Sequence, residues 1–385
     1  MDFTDRKRIT VIDIDEFISE NLNSVMQLIK QLAVIPSPTG MEREKALFCK
    51  NFLQSNGVTD VLIDEADNVI CKINCENGRQ NIVFMAHTDT VFPITQELTL
   101  IEESDILRCP GIGDNTANLA IMLWCVLYLH KCEINSDYGF IFAATSGEEG
   151  CGNLKGSRKL FEDYGKTVRE AIAFDLYLDS LIYEAVGSER YRFTSRTDGG
   201  HAYSDFGKPN AIERISRIVS ELYDLSLPKA SGFHTTQNVG MITGGTSINT
   251  LASEASILYE YRSNNHVFLE IMRDNLNAII ERYRLFGDVS AELIGVRPVG
   301  INCNKKKQNA LLERLLNAYV NVLPLPKLKS GSTDINIPLS MGIPAVCCGL
   351  VLGGGEHTTQ EYIIKSSVQK GMKTALNIIK SYSSQ

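Results

Sequence analysis

Three short apolar runs constrain this chain most: NIVFMAH at 81–87, YGFIFAAT at 138–145 and EAIAFDLYL at 170–178. Each is too short and too continuously apolar for an amphipathic helix, and reads instead as a strand buried on both faces. Helical periodicity fills the stretches around them, over residues 13–33, 41–55, 115–131 and 154–164. Strands that alternate with helices in this way predict an α/β domain with a mostly parallel sheet.

Between about Tyr191 and Pro298 the texture changes. YRFTSR, a helix over 210–223, strands at NVGMIT and ASILYEYR, a helix over 267–285 and SAELIGVR follow in β-α-β-β-α-β order, which suggests a ferredoxin-like α+β unit inserted into the larger domain. A helix near 310–322 and a strand at IPAVCCG then resume the first pattern. The expected organisation is one discontinuous domain, 1–190 and 298–385, interrupted by 191–297. With 385 residues and 44% hydrophobic content the chain can fill both cores.

Composition narrows the function classes. The formal charge is −8 and no basic run exceeds Lys305-Lys306-Lys307, so no nucleic-acid surface is expected. The N-terminus is charged and lacks an apolar signal core, and the longest apolar stretch, 119–129, is too short to span a bilayer. Ten cysteines without a repeated CxxC fit reduced thiols and a cytoplasmic location.

Ligands of open α/β sheets gather at the carboxyl ends of the strands. There this sequence places His87-Thr88-Asp89, Glu148-Glu149, Asp175 and, after AVCCGLVLGGGE, His357; Asp114 immediately precedes the 115–131 helix. Alone, a His after a strand reads as a satisfied core residue and an Asp before a helix as an N-cap. Two adjacent glutamates, however, raise one another's pKa unless a cation or proton separates them. Two histidines and at least four carboxylates form a mixed nitrogen and oxygen set that suits zinc and tolerates manganese or cobalt. Two divalent ions about 3.5–4 Å apart, bridged by a carboxylate, would clamp a carbonyl and a water. One glutamate of the pair then binds metal while its neighbour handles a proton. A Ser-His or Cys-His hydrolase is the weaker reading, because the chain has no GxSxG elbow.

The strings HTDTV, GIGDNTANLA, TSGEEGCGNLKG, GGHAYSDFGKPNAI, GGTSINTL, GSTDINIPLSMGIPAV and GEHTTQEYI occur in that order across nearly the whole chain. Together they resemble the dinuclear zinc amidohydrolase superfamily of peptidase T, carboxypeptidase G, acetylornithine deacetylase and succinyl-diaminopimelate desuccinylase. The resemblance implies a three-layer αβα zinc-peptidase domain with an inserted lid and dimerisation domain, two divalent metal ions and a homodimer. It makes His87 and Asp175 ligands of one zinc, Glu149 and His357 ligands of the other, and Asp114 the bridge. Glu148 falls at the general base, and Asp89 at the carboxylate that accepts the other ring N–H of His87. A cis peptide is implied after Asp114. In the inserted domain His201 matches an oxyanion-stabilising histidine, while Asn249 and Arg262 match positions that contact substrate.

The implied activity is hydrolysis of amide bonds in small peptides by a peptidase T-like exopeptidase. The alternatives are an N-acyl-amino-acid deacylase or carboxypeptidase with the same metals, and a non-catalytic binding protein on the same scaffold. Two positions depart from the family pattern: Asn118 stands where a small residue is usual, and Leu176 where glycine often follows the metal ligand. Asp179 is therefore a reserve candidate for the ligand assigned to Asp175.

Overall fold

A computed structural model describes residues 12–76, 78–132, 135–301 and 303–383. It divides into two compact units, Met1–Glu184 with Gly300–Gln385, and Ala185–Val299. The first boundary falls earlier than the change in sequence texture, because the strand Gly187–Arg196 already pairs with Glu254–Ser263 and Val289–Arg297 of the smaller unit.

The larger unit is built on an eight-stranded sheet in the order Val61–Ile63, Val69–Ile73, Gly139–Thr145, Asn81–His87, Val168–Phe174, Ala345–Cys348, Ser180–Ala185, Lys327–Gly331. Its four central strands run parallel, and the strands that flank them pair antiparallel. Every residue of Asn81–His87 and Gly139–Thr145 is buried, so both faces of the sheet are covered. On one face Phe84, Phe142 and Phe174 stack, with centroids 5.0 and 5.7 Å from that of Phe84. They share a core with the helices Ile14–Ala33, Ala117–Lys131 and Lys365–Lys380. Val83, Met85, Ile141 and Ala143, which alternate with these residues along their strands, are equally buried.

Ala117 through Leu129 are buried without exception, as expected of a helix apolar on all sides. By length and composition Ile112–Lys131 could cross a membrane, but its most apolar window lies wholly inside this unit.

A second, small sheet was not foreseen from the sequence. It joins Gly353–Gly354, Tyr362–Ile364, Ile106–Arg108 and Ile101–Glu103, and its strands are only two or three residues long, too short to carry a period. Its register couples distant loops, since Tyr362–Ile364 pairs with Ile106–Arg108.

The smaller unit is a four-stranded antiparallel sheet in the order Thr235–Gly244, Glu254–Ser263, Gly187–Arg196, Val289–Arg297. Two helices, Ala211–Tyr223 and His266–Arg284, are started by Asn210 and Asn265, whose side chains accept the first free N–H groups. Their apolar sides, Ile215, Ile218, Leu222, Met272 and Leu276, pack with Phe193, Ile257 and Tyr259 of the sheet.

Candidate metal centre at the strand ends

The parallel register dictates where the polar residues emerge. His87 pairs with Thr145, so the chain leaves both strands at one edge and Glu148-Glu149 follow close beside the histidine. Asp175 follows the end of the next strand, Val168–Phe174. Asp114 comes from the loop before Ala117–Lys131, where the Asp114–Asn115 bond is cis. His357 is reached through the Gly353–Gly354 strand and takes a φ of +63°.

Asp114 stands between the two histidines. Its Oδ1 lies 2.9 Å from His87 Nε2 and its Oδ2 lies 3.3 Å from His357 Nε2. Asp175 Oδ1 is 3.4 Å from the same His87 nitrogen, and Glu149 Oε1 is 3.1 Å from His357 Nε2. Three sets of ligand atoms thus lie within 4.8 Å of one another: His87, Asp114 and Asp175; His87, Glu148 and Glu149; and Asp114, Glu149 and His357. All are buried except His357.

Asp89 serves the site differently from the sequence expectation. The closest acceptor for His87 Nδ1 is the main-chain oxygen of Asp89 at 3.0 Å, whereas its carboxylate is 3.6 Å away. That carboxylate accepts the N–H of Glu148 at 3.0 Å, the N–H of Glu149 at 2.9 Å and the hydroxyl of Thr39 at 2.9 Å.

The electrostatics ask for positive charge. Burial works against a charged His87, but the carboxylates of Asp175, Asp114 and Asp89 hold its pKa well above the usual range. Hydrogen bonds to Asp114 and Glu149 push His357 up to about 11. Burial and the charge of Asp114 raise Glu149; burial does the same for Asp175. The nitrogen and oxygen donors, their closeness and their excess of carboxylates fit divalent cations.

The two departures from the family pattern are accommodated locally. Asn118 Nδ2 donates to the oxygens of Gly113, Asn115 Oδ1 and Leu176, and its Oδ1 accepts the N–H of Leu350, so it ties three loops together. Leu176 has a φ of +62°, the left-handed region that glycine occupies at no steric cost. Asp179 is exposed and belongs to none of the three groups.

Sequence reasoning missed Thr39, Glu361 and Asp334. Glu361 is wholly buried and accepts the N–H groups of Gly111, Gly113 and Asp114. Burial pushes its carboxyl up to about 8. All three partners are donors, however, and a proton on Glu361 would set an O–H against an N–H, so the geometry is that of the ionised form. Asp334, pushed up to about 6 by burial, accepts from Thr145 Oγ1 at 2.6 Å directly beneath the strand ends. The TDIN string offers a signal for it only through the resemblance.

In the smaller unit His201 is exposed on a two-residue strand paired with Thr250–Leu251, its Nδ1 accepting from Tyr203 and Ser204 N–H groups at 3.3 Å. Asn249 Oδ1 accepts from Ser247 Oγ. Arg262 makes a two-pronged pair with Glu260 at 2.9 and 3.1 Å.

The model of peptidase family M20/M25/M40 matches residues 83–381. This chain belongs to that family. Membership of the family makes it a hydrolase of amide bonds, and the three residue groups at the strand ends could hold divalent metal. It is 27% identical over 246 residues to a Peptidase M20 domain-containing protein of Schizosaccharomyces pombe, covering 60% of this chain and 58% of that protein. A succinyl-diaminopimelate desuccinylase of Hahella chejuensis is 22% identical over 72% of this chain and 76% of its own. Among solved structures, a tripeptidase from Staphylococcus aureus superposes with a TM-score of 0.72 at 23% identity, covering 94% of this chain and 98% of its own.

Proposed function

We propose that this M20 member is a zinc-dependent exopeptidase that removes residues from the amino end of short peptides in the cytoplasm. The observation that carries the reading is Asp114, whose two oxygens face His87 on one side and His357 on the other. His87 and Asp175 would hold one ion, Glu149 and His357 the second, and Asp114 both. Bound there, two divalent ions supply Lewis acidity, polarising an amide carbonyl and acidifying water.

Glu148 is assigned as general base. It lies among ligand atoms of His87 and Glu149, takes a proton from the attacking water and delivers it to the departing amine as the C–N bond breaks. Asp89 holds the backbone of Glu148 and Glu149 in place. His201, Asn249 and Arg262 are assigned to substrate by resemblance, and the smaller unit to a lid and homodimer surface. Its edge strand Thr235–Gly244 supports the dimer role, since Met241 and Ile242 are more than half exposed there.

A deacylase reading is favoured by the desuccinylase relative. The two are separated by assaying zinc-loaded protein on tripeptides with free and acetylated amino ends and on N-acetyl and N-succinyl amino acids. Turnover confined to free-ended tripeptides supports the proposal. Preference for acyl amino acids replaces it with the deacylase, and cleavage of blocked tripeptides with a carboxypeptidase.

A further inference from the structure

Glu361 follows His357 by four residues, yet its carboxylate is spent on a different loop. Oε2 accepts the N–H of Gly111, and Oε1 accepts those of Gly113 and Asp114, all at 2.7 Å. The main-chain oxygen of Glu361 accepts the N–H of Cys109 at 3.2 Å, so the segment is bound to the 109–114 loop by backbone and side chain alike. The next residues, Tyr362–Ile364, continue the attachment by pairing with Ile106–Arg108. Glu361 therefore joins, by side chain and main chain together, the segment that presents His357 to the loop that presents Asp114.

The surroundings leave it little freedom. Glu361 has no exposed surface. A Cβ on Gly113 would come within 2.7 Å of Tyr177 Cε1 and 3.1 Å of Glu361 Oε1, so the Tyr177 ring and the carboxylate fill the space beside that glycine. Charge-assisted bonds from main-chain N–H groups are among the stronger ones a carboxylate makes. Three of them on two oxygens form a fork that only an acceptor on both arms can complete.

We infer that Glu361 is a positioning residue: it fixes the spacing between Asp114 and His357 and thereby sets how tightly the two metal ions are held. The inference rests on the proposed roles of Asp114 and His357 as ligands. It assigns Glu361 no contact with metal or substrate. A backbone anchor of a ligand loop acts as hydrogen-bonded partners behind metal ligands do elsewhere, where their loss costs roughly 10–100-fold in affinity.

The test is calorimetric titration of metal-free protein with Zn2+ alone, for the wild type and for E361Q. Glutamine keeps the shape but turns one arm of the fork into an NH2 that opposes an N–H. The expected result is two ions bound by the wild type and at least about a tenfold weaker isotherm for E361Q. For E361A, added formate, which supplies a carboxylate to the vacated fork, should restore zinc affinity without changing that of the wild type. Zinc isotherms of E361Q that match the wild type, with only a lower melting temperature, would overturn the inference in favour of a purely structural role. So would failure of both variants to fold even in excess zinc. A wild type that binds no zinc would instead sink the functional proposal.

Discussion

The carboxylate of Asp89 accepts the backbone N–H groups of both Glu148 and Glu149, at 3.0 and 2.9 Å. The proposed base and its metal-binding neighbour are thus set by one buried side chain 59 and 60 residues upstream. The ring of His87 instead leans on the main-chain oxygen of the same residue. Asp89 therefore has two separable duties.

D89N separates them. Asparagine keeps the main-chain oxygen for His87, but one of its arms becomes an NH2 facing a donor, either Glu148 N–H or the Glu149 N–H and Thr39 hydroxyl together. A buried donor left facing a donor costs about 1–3 kcal/mol. The expected outcome is a melting temperature lowered accordingly and a kcat reduced roughly 10–100-fold. Unchanged kcat and stability would show that the carboxylate does not hold the Glu148-Glu149 turn.

The same pair shows what the sequence conveys. The apolar runs at 81–87 and 138–145 are unbroken, so burial on both faces follows, and their register brings His87 beside the Glu148-Glu149 turn. Which oxygen of Asp89 meets His87 does not follow, because a spacing of two residues permits main chain and side chain alike. Thr39 sits in PSPTG and reads as turn punctuation, although its hydroxyl reaches Asp89 across 50 positions. Glu361 looks like a loop glutamate; its partners lie about 250 residues away and are backbone N–H groups, which leave no mark in a sequence. The Ile101–Glu103 and Ile106–Arg108 hairpin was invisible for another reason: the first strand is exposed at every position, so no hydrophobic period marks it.

Lys45 predicts a pH dependence. It is 2% exposed on Arg43–Ser55, and burial lowers its pKa from 10.5 to about 8 against the opposing pull of Cys49 and Asp89. Between these values the unfolded chain carries more protons than the folded one, so this residue makes stability rise with pH across that window. Below about pH 8 lysine is charged in both states and the cost of burying the charge is fully present. K45M should therefore be more stable at pH 7 by about 3 kcal/mol. Its advantage over the wild type should shrink as pH rises from 8 to 10.5, read from denaturant unfolding of both proteins at each pH. An advantage that is absent at pH 7 or constant with pH would refute a buried ammonium.

Gly371 marks where the last helix meets the loop that follows the strand Ala345–Cys348. A Cβ there would fall 1.6 Å from the main-chain oxygen of Leu350 and 2.5 Å from its carbonyl carbon. Main-chain atoms cannot swing aside as a side chain can, so Lys365–Lys380 must move as a body. G371A should lower stability by the upper part of the roughly 1–3 kcal/mol range for overpacked cores, or more. Metal affinity should fall as well, because Leu350 N–H is held by Asn118, which also binds Asn115 next to Asp114. A melting temperature equal to that of the wild type would mean the helix approaches less closely.

Glu148 can be tested as base and as ligand in one variant. Its carboxylate lies close enough to His87 and Glu149 to hold a metal with them, so loss of activity alone would not distinguish the roles. E148Q preserves the side-chain shape and the backbone N–H to Asp89, but glutamine takes up no proton near neutral pH. If Glu148 is the base, E148Q keeps two equivalents of zinc and a near-normal KM while kcat falls at least about 100-fold. If it is a ligand, zinc stoichiometry or affinity falls with kcat, and excess zinc recovers part of the rate. Full activity with full metal content would leave the proton transfer to another group, and Asp334 would be the next to test, since burial pushes its carboxyl up to about 6.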